Sequence, residues 1–174
     1  MYVAKGKPMV QIFNPRQMVL ITCRGSTAVL GKSRDTQDIV ATSWHSPASS
    51  EPGLYAVFLS KHQDFALSLI RDSRVFCVNF IPYSLHGAAA FCARHAGDHL
   101  DKFKETELTA SECEKIDCVR VSEAVGHLEC ELAEEKDVGD HVLLLGNVLF
   151  SNLADPQSPR LFQKDKDTFT TTKE

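Results

Sequence analysis

The stretch GHLECELAEEKDVGDHVLLLGNVLF, residues 126–150, decides how this chain folds. Its first half is rich in Leu, Glu and Ala, which favour helix. Residues 126–133 nevertheless alternate strictly, with Leu128, Cys130 and Leu132 on one side and His127, Glu129 and Glu131 on the other. A period of two is the strand period, so the expectation is a strand that buries the first set and turns the second to water. Val138-Gly139-Asp140 then supplies a turn, and HVLLLGNVLF (141–150) the returning strand. Gly146 within that strand marks a bulge or a bend at a barrel corner.

Upstream of this pair the same reading gives more strands than helices. RQMVLITCR (16–24), DIVATSW (38–44), LYAVFLS (54–60), VFCVNF (75–80) and residues 117–122 read as strands. LYAVFLS is apolar enough to be buried on both faces. Residues 25–37 are polar and read as a hairpin or loop, and HSPASSEPG (45–53) reads as a loop. HQDFALSLIRDS (62–73) switches to helical period around Phe65, Ala66, Leu67, Leu69 and Ile70, with Asp64 as a cap. Pro82 opens a second helix, YSLHGAAAFCARH (83–95), ended by Gly97. Residues 98–115 are expected to be loop with short helical turns. The polar end after Phe162 is expected to fray, leaving residues 1–162 as one domain and 163–174 as a tail. At least six strands with two short helices argue for a mainly β fold, a barrel whose ends the helices cover.

Composition excludes several function classes. The chain has 174 residues, a net charge of −4 and a pI near 6.0, and it lacks the basic footprint of a nucleic-acid binder. No apolar run reaches membrane-spanning length. Residues 1–8 carry no hydrophobic signal region, so the expected location is cytoplasmic. The six cysteines contain no C-x-x-C pair and read as reduced, mostly buried thiols. Cys92, His95 and His99 have helix-face spacing but no clear fourth ligand, so no metal site is expected. There is no GxxxxGK[ST] loop, no GxGxxG and no GxSxG elbow, which leaves nucleotide hydrolysis and serine esterase chemistry without support.

Six segments in order resemble the flavin reductase-like, FMN-binding split-barrel family. They are Asn14-Pro15 before MVLIT, DIVATSWHSPASSEPGL, FLSKHQDFALSLIRDS, FCVNF, GDHLDKF and LECELAEEKDVGDHVLLLGNV, spanning about residues 13 to 150. The short length resembles the branch that contains flavoredoxins and archaeal ferric reductases. The resemblance implies an FMN-binding split β-barrel and an oxidoreductase. NAD(P)H would dock on the flavin face without a Rossmann domain, and electrons would pass to free flavin, ferric iron or a protein acceptor. The alternative is a flavoredoxin-like electron carrier with no NAD(P)H site of its own. The family's barrels pair, which implies a homodimer.

The resemblance also assigns residues. Ala41, Thr42, Ser43, Trp44 and Ser49 would face the isoalloxazine, where strand-end backbone groups can bond the ring edge. Trp44, the sole tryptophan, could equally border the nicotinamide or be a core residue. Ser60, Lys61 and His62 lead into a helix whose N-terminus suits a phosphate. Relatives often carry a Thr where this chain has Phe65-Ala66, so backbone contacts would replace a hydroxyl. Asn79 would bond the ribityl chain or a loop backbone. Lys102 would neutralise a phosphate of FMN or of a pyridine nucleotide, or belong with Asp101 to a solvated pair. His141 would lie beside the flavin, or face water from its turn.

Overall fold

Residues 12–29, 32–165 and 167–172 are described by a computed structural model. The readings of residues 1–8, of the tip at 30–31 and of the far tail at 166 and 173–174 fall outside these residues. Strand β1 (Arg16–Gln17) leads into β2 (Val19–Val29) and β3 (Lys32–Thr42). β4 (His45–Ser50) and β5 (Gly53–Ser60) follow, then helix α1 (Asp64–Ser73) and β6 (Val75–Phe80). A 3-10 turn at Tyr83–Leu85 opens α2 (His86–Arg94), and α3 is Lys102–Thr106. β7 (Ala110–Glu112) and β8 (Val119–Val121) form a short ribbon. The long pair is β9 (Gly126–Val138) and β10 (His141–Leu153), followed by β11 (Leu161–Asp165) and β12 (Thr168–Thr171).

Seven strands form one antiparallel sheet in the order β3-β2-β6-β9-β10-β5-β4. Its two edge strands are neighbours in the chain, separated only by Ser43 and Trp44, so the sheet must curl back on itself. The seam is bridged by Phe58 N–H donating to Trp44 O at 2.8 Å and by Thr42 Oγ1–H donating to Phe58 O at 3.1 Å. Inside lie Val19, Ile21, Val57, Leu59, Phe76, Val78 and Leu144, closed off by Leu67, Leu69 and Ile70 of α1. A second core forms outside, where Leu20, Ile39 and Ala41 meet Ala89 and Cys92 of α2, Phe103 of α3, Val119, Val121 and Leu161. The first half of β2, Val19–Cys23, is therefore buried on both faces.

Gly146 sits at a register shift between β10 and β9. A Cβ there would stand 2.7 Å from Cys130 Cβ and from Phe76 Cζ, so the bend needs glycine.

Several expectations are corrected. Residues 45–50 are strand, not loop: Pro47 is tolerated because β4 is an edge strand, with a register shift between Pro47 and Ser49. Residues 25–37 are the outer half of the β2–β3 hairpin, polar because residues 33–35 face water. The described part of the tail is strand: Gln163 pairs with Arg16, and β1, β11 and β12 make a three-stranded sheet anchored by fully buried Leu161. Asp64 does not cap α1; it sits in the first turn and accepts from Phe65 N–H at 2.9 Å, while Gln63 holds the cap position. α2 ends at Arg94, before Gly97. β5 buries the Tyr55, Val57 and Leu59 face fully and the other only partly. Finally, His127 and Glu129 do not face water; the β7–β8 ribbon and its turn cover that side of β9, and both are buried.

Candidate functional site

A cleft of about 500 Å³ opens where the end of β3 meets the start of α1 and the end of α2. Its size is ordinary for a small-molecule site, roughly 300–1,000 Å³. Because β3 has a neighbour strand on one side only, alternate backbone groups along its free edge lack ladder partners. Val40, Ala41, Thr42, Ser43 and Trp44 bring that edge to the cleft. Thr42 fixes the strand end: its Oγ1 accepts from Trp44 N–H at 3.0 Å while donating across the seam.

Trp44 and His141 stack on each other at the cleft, with ring centroids 4.7 Å apart and planes inclined by 11°. His141 is held from behind, its Nδ1 lying 2.7 Å from Asp140 Oδ1. A carboxylate accepts, so Nδ1 carries the proton and Nε2 is the ring's second exchangeable position. This bond holds the exposed Asp140 carboxyl below its ordinary value. Arg16 lies over the indole at 4.8 Å and donates through Nε and Nη2 to Ser43 O at 2.8 and 2.6 Å. Ser43 Oγ–H in turn donates to Gln163 Oε1 at 2.7 Å. The strand end is thus clamped by residues from both ends of the chain.

Ser60 and His62 approach from the end of β5, and Gln63, Asp64, Phe65 and Ala66 present the first turn of α1. First-turn amides and the positive end of a ten-residue helix suit an anion. The Asp64 carboxylate occupies one of those amides and opposes a second anion. Arg94 and His95 face the same cleft from α2, where Arg94 Nη2 is 2.5 Å from Asp167.

Deeper in, Lys102 and Asp38 form an ion pair with side chains 1% and 2% exposed, Nζ lying 3.1 Å from Oδ1. Lys102 Nζ–H also donates to Ile39 O at 2.9 Å. Oδ1 has the charge contact but no aligned hydrogen bond. Burial pushes the Asp38 carboxyl up, against the pull of Lys102. Gly97 is required here, since a Cβ on it would lie 2.1 Å from Asp38 Oδ1.

Of the residues singled out in the sequence, Ala41, Thr42, Ser43, Trp44, Ser60, His62, Lys102 and His141 meet at the cleft. Ser49, Lys61 and Asn79 do not line it. Ser49 lies on β4 opposite Leu54. Lys61 points outward and pairs with Asp137 at 3.1 Å. Asn79 is fully buried: its Nδ2 donates to Leu20 O and Thr22 Oγ1, both at 3.0 Å, and its Oδ1 accepts from Val121 N–H at 2.8 Å. Its bonds are to protein backbone and a threonine, one of the two readings open in the sequence. Lys102 is not solvated, contrary to one of its readings; it lines the cleft while paired with Asp38. Arg16, Asp38, Gln63, Arg94, His95 and Gln163 were not foreseen at the site, because nothing local to them signals it. Among the described residues no group of three or more His, Cys, Asp or Glu could hold a metal ion.

A curled antiparallel sheet with this cleft at its seam defines a split β-barrel. The chain belongs to the flavin reductase like domain family, whose model matches residues 13–170. It is 27% identical over 112 residues to an uncharacterized protein of Archaeoglobus fulgidus, a match covering 64% of this chain and 63% of that one. The chain thus spans under two thirds of that relative's length. Among solved structures, an FMN-binding protein from Thermus thermophilus with bound 1-cyclohex-2-enone superposes with a TM-score of 0.80 at 20% identity, covering 98% of this chain and 94% of that one. The NADH:FAD oxidoreductase SgcE6 of Streptomyces globisporus C-1027 also gives 0.80 at 20% identity, covering 100% and 99%. The fold is that of the FMN-binding split barrels.

Proposed function

We propose that the cleft binds FMN and that the chain is an NAD(P)H-dependent oxidoreductase delivering electrons to free flavin, ferric iron or a protein acceptor. The observation that carries this reading is the convergence, in one cleft, of the free edge of β3, the Trp44–His141 stack and the first turn of α1. Backbone groups of Ala41, Thr42 and Ser43 bond the polar edge of the flavin ring. The stacked Trp44–His141 pair offers an aromatic face to the flavin, and the Asp140 bond fixes the imidazole's orientation. Ser60, His62 and the α1 amides take the phosphate, with Arg94 adding positive charge across from Asp64. Bound FMN would supply the redox chemistry, taking two electrons from the pyridine nucleotide and releasing them to the acceptor. His141 Nε2 can hold or pass a proton at the cleft wall. Lys102 keeps its charge on Asp38 and shapes the cleft floor.

On this reading the chain works as a homodimer, with small-molecule or protein acceptors as its other partners. Leu149 and Leu153 of β10 are about half exposed, at 49% and 57%, beside a groove that includes Phe80, Leu128 and Phe162. Such apolar surface on one side of a small barrel suits a second copy. Among the described residues no helix is long and apolar enough to cross a membrane. Six free cysteines fit a reducing, cytoplasmic setting.

Trp44 is the only tryptophan, so its fluorescence reports directly on the cleft. FMN titration is expected to quench it in a saturable way, and anaerobic NADH or NADPH to bleach the bound flavin's visible band. A protein that neither carries nor takes up FMN refutes the site. Flavin that binds but resists both nucleotides, while accepting electrons from a protein donor, assigns the carrier role instead.

A further inference from the structure

Three thiols gather beneath the β7–β8 ribbon, and none of them lines the cleft. Cys77 and Cys118 are fully buried, Cys113 is half-buried, and the three pack with Val75 and Ile116. The ribbon pairs Ala110 with Val121, Ser111 with Arg120 and Glu112 with Val119. One step further sets Cys113 opposite Cys118, and Cys113 N–H donates to Cys118 O at 3.0 Å. Ser122 N–H donates to Thr109 O at 2.9 Å, which makes 109 and 111 hydrogen-bonded positions; Cys113 keeps one such bond to Cys118, whose own N–H turns to Ile116 O at 2.9 Å. Residues opposite each other at such positions have Cα atoms about 5.5 Å apart and side chains on one face. That separation lies inside the roughly 4.4–6.8 Å that a disulfide spans. The Cys113, Cys118 and Cys77 side chains pack in one cluster.

The turn that joins the two cysteines is fixed from below. Fully buried Glu129 accepts from Glu114 N–H at 2.7 Å and from Lys115 N–H at 2.6 Å. Cys113 is the residue just before this anchor, so its position under the ribbon is set by the fold. Hydrogen bonds from Cys118 and then Cys77 hold the Cys113 thiol well below the ordinary value. Burial and the Glu129 carboxylate oppose that shift, and His127 assists it. The neighbouring thiols have little to lose: Cys118 Sγ–H reaches Thr22 O and Val119 O only at 3.5 Å, and Cys77 Sγ–H reaches Asn79 Oδ1 at 3.8 Å.

We propose that Cys113 and Cys118 form a dithiol that hydroperoxides oxidise to a disulfide, Cys113 attacking and Cys118 resolving. The Cys113 thiolate attacks a peroxide oxygen; an S–O bond forms, the O–O bond breaks, and the leaving oxygen takes a proton to become alcohol or water. The Cys118 sulfur then attacks the resulting sulfenic acid. The S–S bond forms, the S–O bond breaks, and the departing hydroxide takes the Cys118 proton as water. Two thiols lose two electrons and one hydroperoxide gains them. Cys77 sits on central strand β6, off the ribbon, and serves as a hydrogen-bond donor. This site stands whether or not the cleft binds FMN.

Two measurements on the full chain test the proposal. Iodoacetamide is expected to alkylate Cys113 about tenfold faster than free cysteine at pH 6, the gain in thiolate being partly offset by lower nucleophilicity. Its rate should stay nearly flat from pH 9 to pH 6, where free cysteine falls by orders of magnitude. One equivalent of hydrogen peroxide should give a non-reduced peptide linking 113 to 118, reversed by dithiothreitol and absent in Cys113→Ser. A Cys113 rate that tracks free cysteine overturns the proposal. So does over-oxidised Cys113 beside an alkylatable Cys118, a 77–113 link, or a disulfide that persists in Cys113→Ser. If that variant fails to fold, the wild-type alkylation profile and peptide map decide alone.

Discussion

Replacing Lys102 with Met keeps most of the side-chain volume and removes one charge from a pair that has no access to water. Asp38 and Lys102 are 2% and 1% exposed in their side chains, with Nζ 3.1 Å from Oδ1. Removing one partner of a buried pair costs about 3–5 kcal/mol. The variant can instead bury Asp38 as the neutral acid, and that route sets the size of the effect. Protonating a carboxyl with an unfolded pKa of about 3.9 costs about 4 kcal/mol at pH 7 but only about 1 kcal/mol at pH 4.5. The sign follows from linkage: the folded-state pKa lies above the unfolded one, so the folded variant holds the extra proton and loses stability as pH rises through that window. The wild-type carboxyl is already pushed up by burial, in the same direction. Urea unfolding of wild type and Lys102→Met at both pH values measures the difference. With a slope of about 2 kcal/mol per molar, the midpoint should drop by about 2 M at pH 7 and by about 0.5 M at pH 4.5. Adding Asp38→Asn should restore most of the pH-dependent part. Equal losses at the two pH values would refute the idea that the stranded carboxylate carries the cost.

Lys61→Ala should change FMN affinity by no more than about threefold, because the side chain is 43% exposed and paired with Asp137 away from the cleft; a fluorescence titration of Trp44 checks this. Asn79→Ala should lower unfolding free energy by about 2–4 kcal/mol, since it strands Val121 N–H and removes two buried donations. Chemical denaturation should show that loss with or without FMN. Gly146→Ala should cost at least about 1–3 kcal/mol through overpacking against Cys130 and Phe76, seen as a lower Tm. Light scattering at low micromolar concentration should give about twice the chain mass of 19.3 kDa; a monomer with FMN fully bound would refute the homodimer.

The central strand of the sheet, β9, was legible in residues 126–133, because an alternating pattern outweighs helix propensity when the strand has neighbours on both sides. The helix after Ser60 and the bend at Gly146 were legible for similar local reasons. Residues 45–50 were not, because Pro and Ser argue for a turn unless the strand is known to be an edge. Neither was the tail, whose Thr-rich residues gain a partner only when β1 and β11 meet across the chain. The same distance hides Arg16 and Gln163 from any local reading of the cleft. They act on Ser43 from 27 and 120 residues away.

The polar residues were misplaced for one shared reason. Alternation along a strand separates two faces, but it does not say that the second face meets water. In β9 the second face carries His127 and Glu129, and the ribbon of β7 and β8 lies over it. Glu129 is tolerated there because two backbone N–H groups and His127 surround its carboxylate. Asn79 does the same work one strand away, tying Val121 to β2 and β6. Lys102 holds the edge of β3 through Ile39 O. Each of these residues replaces a water-facing side by a bonded one, and together they fasten the second layer onto the barrel beside the cleft. A buried carboxylate, amide and ammonium in a chain this small are therefore signs of covering elements before they are signs of a ligand. On the proposed function, the groups left to receive a ligand are those that line the cleft without fastening a covering element: the β3 edge, His141 and the first turn of α1.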